Sequence, residues 1–175
     1  MKNRVLGTRR IYDGRIINLR VDDVELPDGS RTVREIIEHP GAAVIVPVDS
    51  DGNVYLVRQF RDAAARELLE LPAGKLKPGE APEACARREM LEELGLEAGS
   101  WTRLASFYSS PGFCDEILHC FLARELQPGS PAADREEFLE AVVRPLEPVE
   151  LLLEEVRDAK TVAGLLLALR RPGVC

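Results

Sequence analysis

Residues 74–96 read GKLKPGEAPEACARREMLEELGL, and the hydrophobic period of the chain changes within them. From Glu80 to Leu94 apolar residues recur at helical spacing with charges between them, which predicts an amphipathic helix. Gly95 is typical of a residue that ends a helix, because glycine adopts the left-handed conformation there without steric cost. The expected apolar stripe of this helix consists of Ala81, Ala84, Leu91 and Leu94.

Three glutamates of the helix, Glu89, Glu92 and Glu93, lie at positions i, i+3 and i+4, so their carboxylates share one side. Like charges at this spacing destabilise a bare helix by roughly 0.2–0.5 kcal/mol per pair. A solvated face tolerates that repulsion, whereas a hard divalent cation would convert it into ligation, since Mg²⁺ and Ca²⁺ prefer carboxylate oxygens. The glutamates alone leave both interpretations open.

The residues around the glutamates favour the metal interpretation. Arg88 is placed to pair with a carboxylate and hold it for a cation, as residues behind metal ligands do. Glu80 is placed to fix the junction of loop and helix, while Gly74 and Gly79 permit positive φ angles and the approach of a carbonyl to a cation. With U for an apolar residue, the spacing is G-x5-E-x7-R-E-U-x-E-E-x-G-U, occupied by Gly74, Glu80, Arg88, Glu89, Met90, Glu92, Glu93, Gly95 and Leu96.

This spacing resembles the signature box of the Nudix hydrolases, which act on a nucleoside diphosphate linked to another group. The resemblance implies an α+β fold, an α/β/α sandwich with a mixed sheet, in which the box forms a loop–helix–loop. It also implies a Mg²⁺ or Mn²⁺ cofactor and hydrolysis of a pyrophosphate, chemistry in which a cation neutralises phosphate charge and acidifies a bound water. The metal ligands carried over by position are the Ala73 carbonyl, Glu89, Glu92 and Glu93. The resemblance also implies a catalytic role for Arg88 beside these ligands and a structural role for Gly74, Glu80 and Gly95.

Three segments outside the box resemble the ADP-ribose pyrophosphatase subfamily. Residues 70–74 match its E-L-P-A-G sequence at the start of the box, residues 57–61 match its V-R-Q-F-R strand, and residues 110–116 match its S-P-G-x-x-D-E loop. Residues 14–19 are also similar to its N-terminal strand. Taken alone, these residues are strand-end charges, a turn and a surface acid. The resemblance implies that the following residues bind the substrate: Arg58, Arg61, Glu70, Pro111, Gly112, Glu116 and Ile16. Ile16, Phe60 and Tyr108 are candidates for stacking on adenine.

The implied reaction is hydrolysis of ADP-ribose to AMP and ribose 5-phosphate. One alternative is a broader nucleoside diphosphate-sugar or dinucleotide diphosphatase. Another is a non-catalytic sensor of the same ligand type, although such proteins often lose box glutamates and carry a DNA-binding helix-turn-helix. The sequence does not choose the general base. Glu136 and Glu137 are candidates, although their acidic loop is also typical of a solvated hairpin tip. Glu92 and Glu93 are candidates on the predicted helix.

Composition limits the partners. The chain has 175 residues, 45% of them apolar, and 23 Lys plus Arg against 30 Asp plus Glu give a net charge of −7. An acidic protein is poorly suited to nucleic acids or anionic membranes, so we expect neither partner. Four cysteines without metal-ligand spacing predict reduced thiols, and the first ten residues lack a signal-peptide core. These features predict a cytoplasmic protein without a transmembrane segment.

Two domains are expected, an N-terminal β subdomain at 1–40 and a hydrolase domain at 41–175. In the first, turns at 13–14 and 27–29 separate apolar–polar runs at 15–24 and 32–38, which predicts a small antiparallel sheet. Since enzymes of the resembling subfamily are usually homodimers built through these strands, we expect a homodimer. In the second domain, strands are expected at 42–48, 53–59, 101–108, 117–123 and 138–143, and a helical segment at 148–171, broken near 158–160.

Overall fold

The computed structural model describes residues 2–130 and 139–171. The chain divides into two compact units: Met1–Gly41 with Tyr108–Ile117, and Ala42–Phe107 with Leu118–Cys175. The expected α+β fold, with a mixed sheet, helices and a small N-terminal antiparallel sheet, is confirmed. No helix in the described ranges is long and apolar enough to cross a membrane.

The first unit contains a three-stranded antiparallel sheet in the order β1-β2-β3, formed by Arg4–Asp13, Asn18–Glu25 and Arg31–Glu38. The predicted hairpin is β2 and β3, and its turn contains Gly29 at a φ of 83°, in the region that favours glycine. Strand β1 was not predicted in full. Nearly all of its residues are exposed, so its sequence carries no alternation between a buried and a solvated face.

The second unit contains two sheets. One has the order β10-β5-β6 with antiparallel pairs, and the other has the order β7-β4-β9-β8, in which β4 pairs parallel with β9 and antiparallel with β7. The strands are β4 Ala42–Pro47, β5 Asn53–Arg61, β6 Arg66–Glu70, β7 Ala73–Lys75, β8 Leu96–Tyr108, β9 Ile117–Pro128 and β10 Glu140–Pro145.

Strand β4 forms the centre of the second unit, and all six of its residues are buried. Side chains alternate across a strand, so Val44 and Val46 enter one apolar cluster while Ala43 and Ile45 enter another. In the described part of this unit there are three α-helices: α1 Pro82–Leu94, α2 Val149–Glu155 and α3 Ala159–Leu169. Helix α1 contributes to the second cluster, and α2 and α3 contribute to the first.

Helix α1 confirms the predicted element but corrects its buried face. The buried residues are Cys85, Ala86, Met90 and Glu93, whereas Ala81 and Ala84 are exposed. The helix begins at Pro82 rather than at Glu80, because proline presets a helical φ and needs no donor in the first turn. Gly95 ends it in the left-handed conformation at a φ of 67°, as expected.

The C-terminal helical segment is broken where the sequence indicated. Asp158 is the N-cap of α3, and its carboxylate accepts a hydrogen bond of 3.0 Å from the Thr161 amide. The strand expected at 138–143 is observed as β10 from Glu140, and residue 138 lies outside the described residues. The three-residue strand β7 and the adjoining β6 were not predicted.

Candidate active site

Arg88 lies at the centre of a charged cluster on α1. Its Nε and Nη2 atoms donate to the two carboxylate oxygens of Glu80 at 2.9 and 3.0 Å, and its Nη1 atom donates to Glu89 at 2.5 Å and to Glu92 at 3.0 Å. The planar guanidinium group suits this arrangement because its donors form a rigid fork. One arginine therefore joins the loop before the helix to two of the three aligned glutamates.

Glu80 fixes the turn that leads into α1. Its Oε2 atom also accepts a hydrogen bond of 2.9 Å from the Lys77 amide, and Gly79 beside it has a φ of 76°. The hydrogen bonds from Arg88 lower the pKa of Glu80 to about 2, with a further contribution from Lys77. The same contacts raise the pKa of Arg88, so this pair stays ionised throughout the neutral range.

Gly74 contacts Glu89 so closely that no side chain fits between them. A Cβ atom at position 74 would lie 1.9 Å from the Cδ and Oε1 atoms of Glu89. One of the two expected reasons for this glycine, a positive φ, is wrong, since the residues with positive φ include Gly79 and not Gly74. The missing side chain is what matters here, because it lets the Glu89 carboxylate reach the backbone.

Glu93 and Cys85 occupy the inner side of the same helix. Glu93 is only 9% exposed, an uncommon position for a carboxylate. The Cys85 thiol donates to the Gly74 carbonyl at 3.4 Å and accepts from Arg88 at 3.4 Å, and burial raises its pKa to about 12. The role of Cys85 was not predicted, since a lone cysteine in a helix resembles any small apolar residue.

The donor set suits a hard divalent cation. Glu89, Glu92 and Glu93 supply carboxylate oxygens. Because Gly74 has no side chain, the Glu89 carboxylate lies directly against the backbone of Gly74, next to Ala73. Mg²⁺ and Mn²⁺ prefer such oxygen ligands. Within residues 2–130 and 139–171, no three acidic, histidine or cysteine side chains already form a group able to hold a metal ion; Arg88 bonds to Glu89 and Glu92 instead.

The residues expected to bind substrate on β5 and β6 are already engaged. Arg61 donates both arms of its guanidinium to Glu70 at 2.8 and 2.7 Å, and Lys160 of α3 also bonds to Glu70. Glu70 is 1% exposed. Arg58 lies 3.3 Å from the carboxylate of Glu140, while Phe60 between the two arginines is exposed.

The remaining residues expected to bind substrate belong to the first unit. In the loop of residues 110–116, Pro111 and Gly112 are exposed, and the carboxylate of Glu116 lies 3.3 Å from the His39 ring. Backbone bonds between residue 37 and residues 113 and 115 anchor this loop. Ile16 and Tyr108 expose about half of their surface. Glu136 and Glu137, two candidates for the base, lie outside the described residues.

Two residues of α3, Lys160 and Thr161, contact the segment before the box, and sequence reasoning did not identify them as functional. In the sequence, residues 158–160 marked only the break between two helices, and Thr161 was not singled out. Lys160 bonds to Glu70 and Asp158, and Thr161 bonds to the Leu71 amide. Each contact with residues 70–71 spans 90 residues of sequence, so no local spacing could have indicated it.

The ion network around Glu70 predicts a pH-dependent stability. Burial raises the pKa of Glu70, but the hydrogen bond from Arg61 and the charge of Lys160 outweigh it, so the pKa lies below its ordinary value of 4.5. The stabilisation is therefore complete above pH 4.5 and is lost as the pH falls towards the lowered pKa. We expect Glu70→Gln to cost about 2 kcal/mol at pH 7, less than a fully buried pair because Arg61 is partly solvated.

Urea unfolding of the wild type and of Glu70→Gln, measured from pH 7 to pH 3, checks this. The difference between the two free energies of unfolding should shrink below pH 4.5, and taking the difference removes the contribution of the other carboxylates. A difference that stays constant across the range would contradict the ion network.

Comparison with known proteins adds independent findings. A NUDIX domain model matches residues 38–165, and a model described as a nucleoside diphosphate sugar hydrolase N-terminal domain matches residues 4–37. Over 169 residues the chain is 44% identical to the ADP-ribose pyrophosphatase of Bacillus subtilis (strain 168), with 94% of this chain and 91% of that protein covered. It is 39% identical, with the same coverage, to the methanol dehydrogenase activator of Bacillus methanolicus. A crystal structure described as an ADP compounds hydrolase shares 28% identity and a TM-score of 0.85, covering 95% of this chain and 92% of its own.

Proposed function

Because the chain belongs to the Nudix family and is a Nudix pyrophosphatase of the nucleoside diphosphate-sugar type, we propose that it hydrolyses ADP-ribose to AMP and ribose 5-phosphate. The observation that carries this proposal is the cluster in which Arg88 joins Glu80, Glu89 and Glu92 beside Gly74. The relative from Bacillus subtilis, named an ADP-ribose pyrophosphatase, supports the choice of substrate. A cytoplasmic location, expected from the sequence, is part of the same proposal.

In the proposed mechanism, Glu89, Glu92, Glu93 and the Ala73 carbonyl would hold Mg²⁺ or Mn²⁺. A bound cation would supply neutralisation of phosphate charge and a lowered pKa of the attacking water. Arg88 orients Glu89 and Glu92, and Glu80 holds Arg88 in place. Arg58, Arg61, Pro111, Gly112, Glu116 and Ile16 are proposed to contact the substrate, with Glu70 holding Arg61.

The general base takes a proton from the attacking water as the water oxygen bonds to one phosphorus. The bond from that phosphorus to the bridging oxygen breaks, and the other phosphate leaves with the bridging oxygen and the electron pair. Glu92 and Glu93 are candidates on α1, and Glu136 and Glu137 are candidates in the acidic loop. Single glutamine substitutions at these four positions separate them, because loss of the base changes the pH dependence of kcat/KM. Loss of a ligand instead changes the metal concentration needed for half activity.

A substrate panel with Mg²⁺ tests the proposed reaction. We expect kcat/KM for ADP-ribose to exceed that for ADP-glucose, GDP-mannose, NADH, diadenosine polyphosphates and coenzyme A by about tenfold or more, the discrimination that a few pocket contacts provide. AMP should be the nucleotide product, and a chelator should abolish turnover until Mg²⁺ or Mn²⁺ is restored.

Other outcomes of the panel are informative. Preference for another compound would favour the broader nucleoside diphosphate-sugar or dinucleotide diphosphatase, with which the N-terminal domain match is also compatible. It would also remove Pro111, Arg58 and Arg61 as markers of ADP-ribose specificity. Tight binding of ADP-ribose without turnover would favour the sensor.

We further propose that the protein is a homodimer associated through the first unit. Strand β1 exposes Val5, Ile11 and Tyr12, and within the described residues it pairs with β2 alone, at one edge of its sheet. A long exposed edge strand with apolar side chains is a typical site of association. Light scattering at micromolar concentration should give twice the chain mass of 19.4 kDa, and Ile11→Arg should shift it towards one chain. A monomeric wild type would exclude the dimer.

A further inference from the structure

The N-terminus of α3 contacts the segment that precedes the signature box. The Leu71 amide donates a hydrogen bond of 2.8 Å to the hydroxyl of Thr161, and both residues are fully buried. Thr161 in turn donates from its hydroxyl to Asp158 at 2.5 Å. The hydroxyl thus connects the cap of α3 with the backbone two residues before Ala73.

A second contact holds the side chain of the preceding residue. The Lys160 ammonium group bonds to the buried carboxylate of Glu70 and donates to Asp158 at 2.9 Å. Asp158 therefore accepts from both Lys160 and Thr161, so the two contacts share one anchor. Buried polar groups that satisfy one another in this way rigidify the backbone they contact.

The helix also packs tightly against the Leu71 side chain. A Cβ atom at Gly164 would lie 2.5 Å from Cδ1 of Leu71, so the glycine lets α3 approach closely. Thr161 and Gly164 are three residues apart and lie on the same face of the helix. Leu71 is thereby fixed at its amide and at its side chain by one helical face.

Small displacements of residues 71–74 would alter the candidate metal site. The Pro72 carbonyl accepts from Ile45 at 2.9 Å, and Gly74 lies directly against the Glu89 carboxylate. Movement at Leu71 would therefore be transmitted along this short segment to the Ala73 carbonyl and to Glu89. We propose that Thr161 and Lys160 are positioning residues that hold the backbone half of the metal site; this inference rests on the proposed function.

Two variants with a matched control test the proposal. Thr161→Val removes the hydroxyl and preserves the shape, whereas Thr161→Ser retains the hydroxyl. We expect Thr161→Val to raise the Kd for Mn²⁺, measured by electron paramagnetic resonance on the metal-free protein without substrate, by about tenfold, the effect typical of residues behind metal ligands. Thr161→Ser should bind Mn²⁺ as the wild type does, and the Leu71 amide should exchange its hydrogen faster only in Thr161→Val.

Val142→Ala on β10 is the control for a general loss of stability, since Val142 is a buried core residue with no role in the candidate site. It should lower Tm without changing Mn²⁺ affinity.

In turnover, Thr161→Val should need more metal for half activity, while KM for ADP-ribose at saturating metal stays near the wild-type value. Lys160→Met leaves the Thr161 hydroxyl intact and should also raise the Kd for Mn²⁺. It replaces Thr161→Val as the test if that variant does not fold.

Wild-type Mn²⁺ affinity in Thr161→Val and Lys160→Met would overturn the inference and leave the proposed function intact. Equal weakening in Val142→Ala would also overturn it, because the effect would then follow general stability. A wild-type chain that neither binds Mn²⁺ nor hydrolyses the panel would overturn the proposed function, and the inference with it.

Discussion

Replacement of Glu93 by glutamine is expected to lower kcat by about a thousandfold, a loss within the range for removal of a group acting on the reacting atoms. Glu93 is the most buried of the three aligned carboxylates, so solvent cannot replace its charge. Glutamine preserves the shape but removes the charge that attracts a cation. Steady-state kinetics with saturating Mg²⁺ measures the effect, and a melting curve verifies that the variant is folded.

Glu83→Gln is the matched control for this prediction. Glu83 lies on the same helix, is exposed and pairs with Arg87, away from the Arg88 cluster. Its replacement should leave kcat within about twofold of the wild type, as for most surface substitutions. If Glu93→Gln retained full turnover and needed no more Mg²⁺ for half activity, the carboxylate would be structural and the assignment of the metal ligands would be wrong.

Replacement of Gly74 by alanine is expected to reduce kcat/KM by about a hundredfold or more, since displacements near 1 Å at a catalytic site have effects of this size. The added methyl group would overlap the Glu89 carboxylate at 1.9 Å, and Glu89 would have to leave its place between Arg88 and the backbone. Gly74 has no positive φ, so alanine causes no backbone strain there. The expected change in Tm is correspondingly small.

Gly99→Ala controls for the added methyl group itself. A Cβ atom at Gly99 would lie 2.5 Å from a carboxylate oxygen of Glu125, but Glu125 is exposed and can turn into solvent. We expect wild-type kinetics in this variant. Equal losses in both variants would show that the geometry at Gly74 has no specific role, and an unaffected Gly74→Ala would show that Glu89 can act from another position.

The sequence predicted the elements of the second unit better than their packing. Spacing identified α1 and the glycine that ends it, because local backbone preferences determine both. The predicted buried face was wrong, since the expected stripe of Ala81, Ala84, Leu91 and Leu94 left out Cys85, Ala86 and Met90, which are buried in the second cluster. Glu93 is buried along with them, a placement that a hydrophobic pattern does not predict.

The candidate site was predictable to the extent that its spacing is local. Arg88, Glu89 and Glu92 lie within one helical turn or so, and the structure brings them into direct contact. Strand β7 could not be predicted, because its three residues form a strand only by pairing with β4. The contacts of Lys160 and Thr161 likewise exist only in the folded chain.

Because of strand β4, the backbone part of the candidate site, at Ala73 and Gly74, has less conformational freedom than the glutamate side chains of α1. It is hydrogen-bonded on both sides and buried throughout, and β7 with Ala73 and Gly74 pairs directly with it. Amide groups in such a strand exchange with solvent only when the whole unit unfolds. The carbonyl side of the site therefore loses little conformational freedom when a ligand binds, and most of that entropy cost falls on the glutamate side chains of α1.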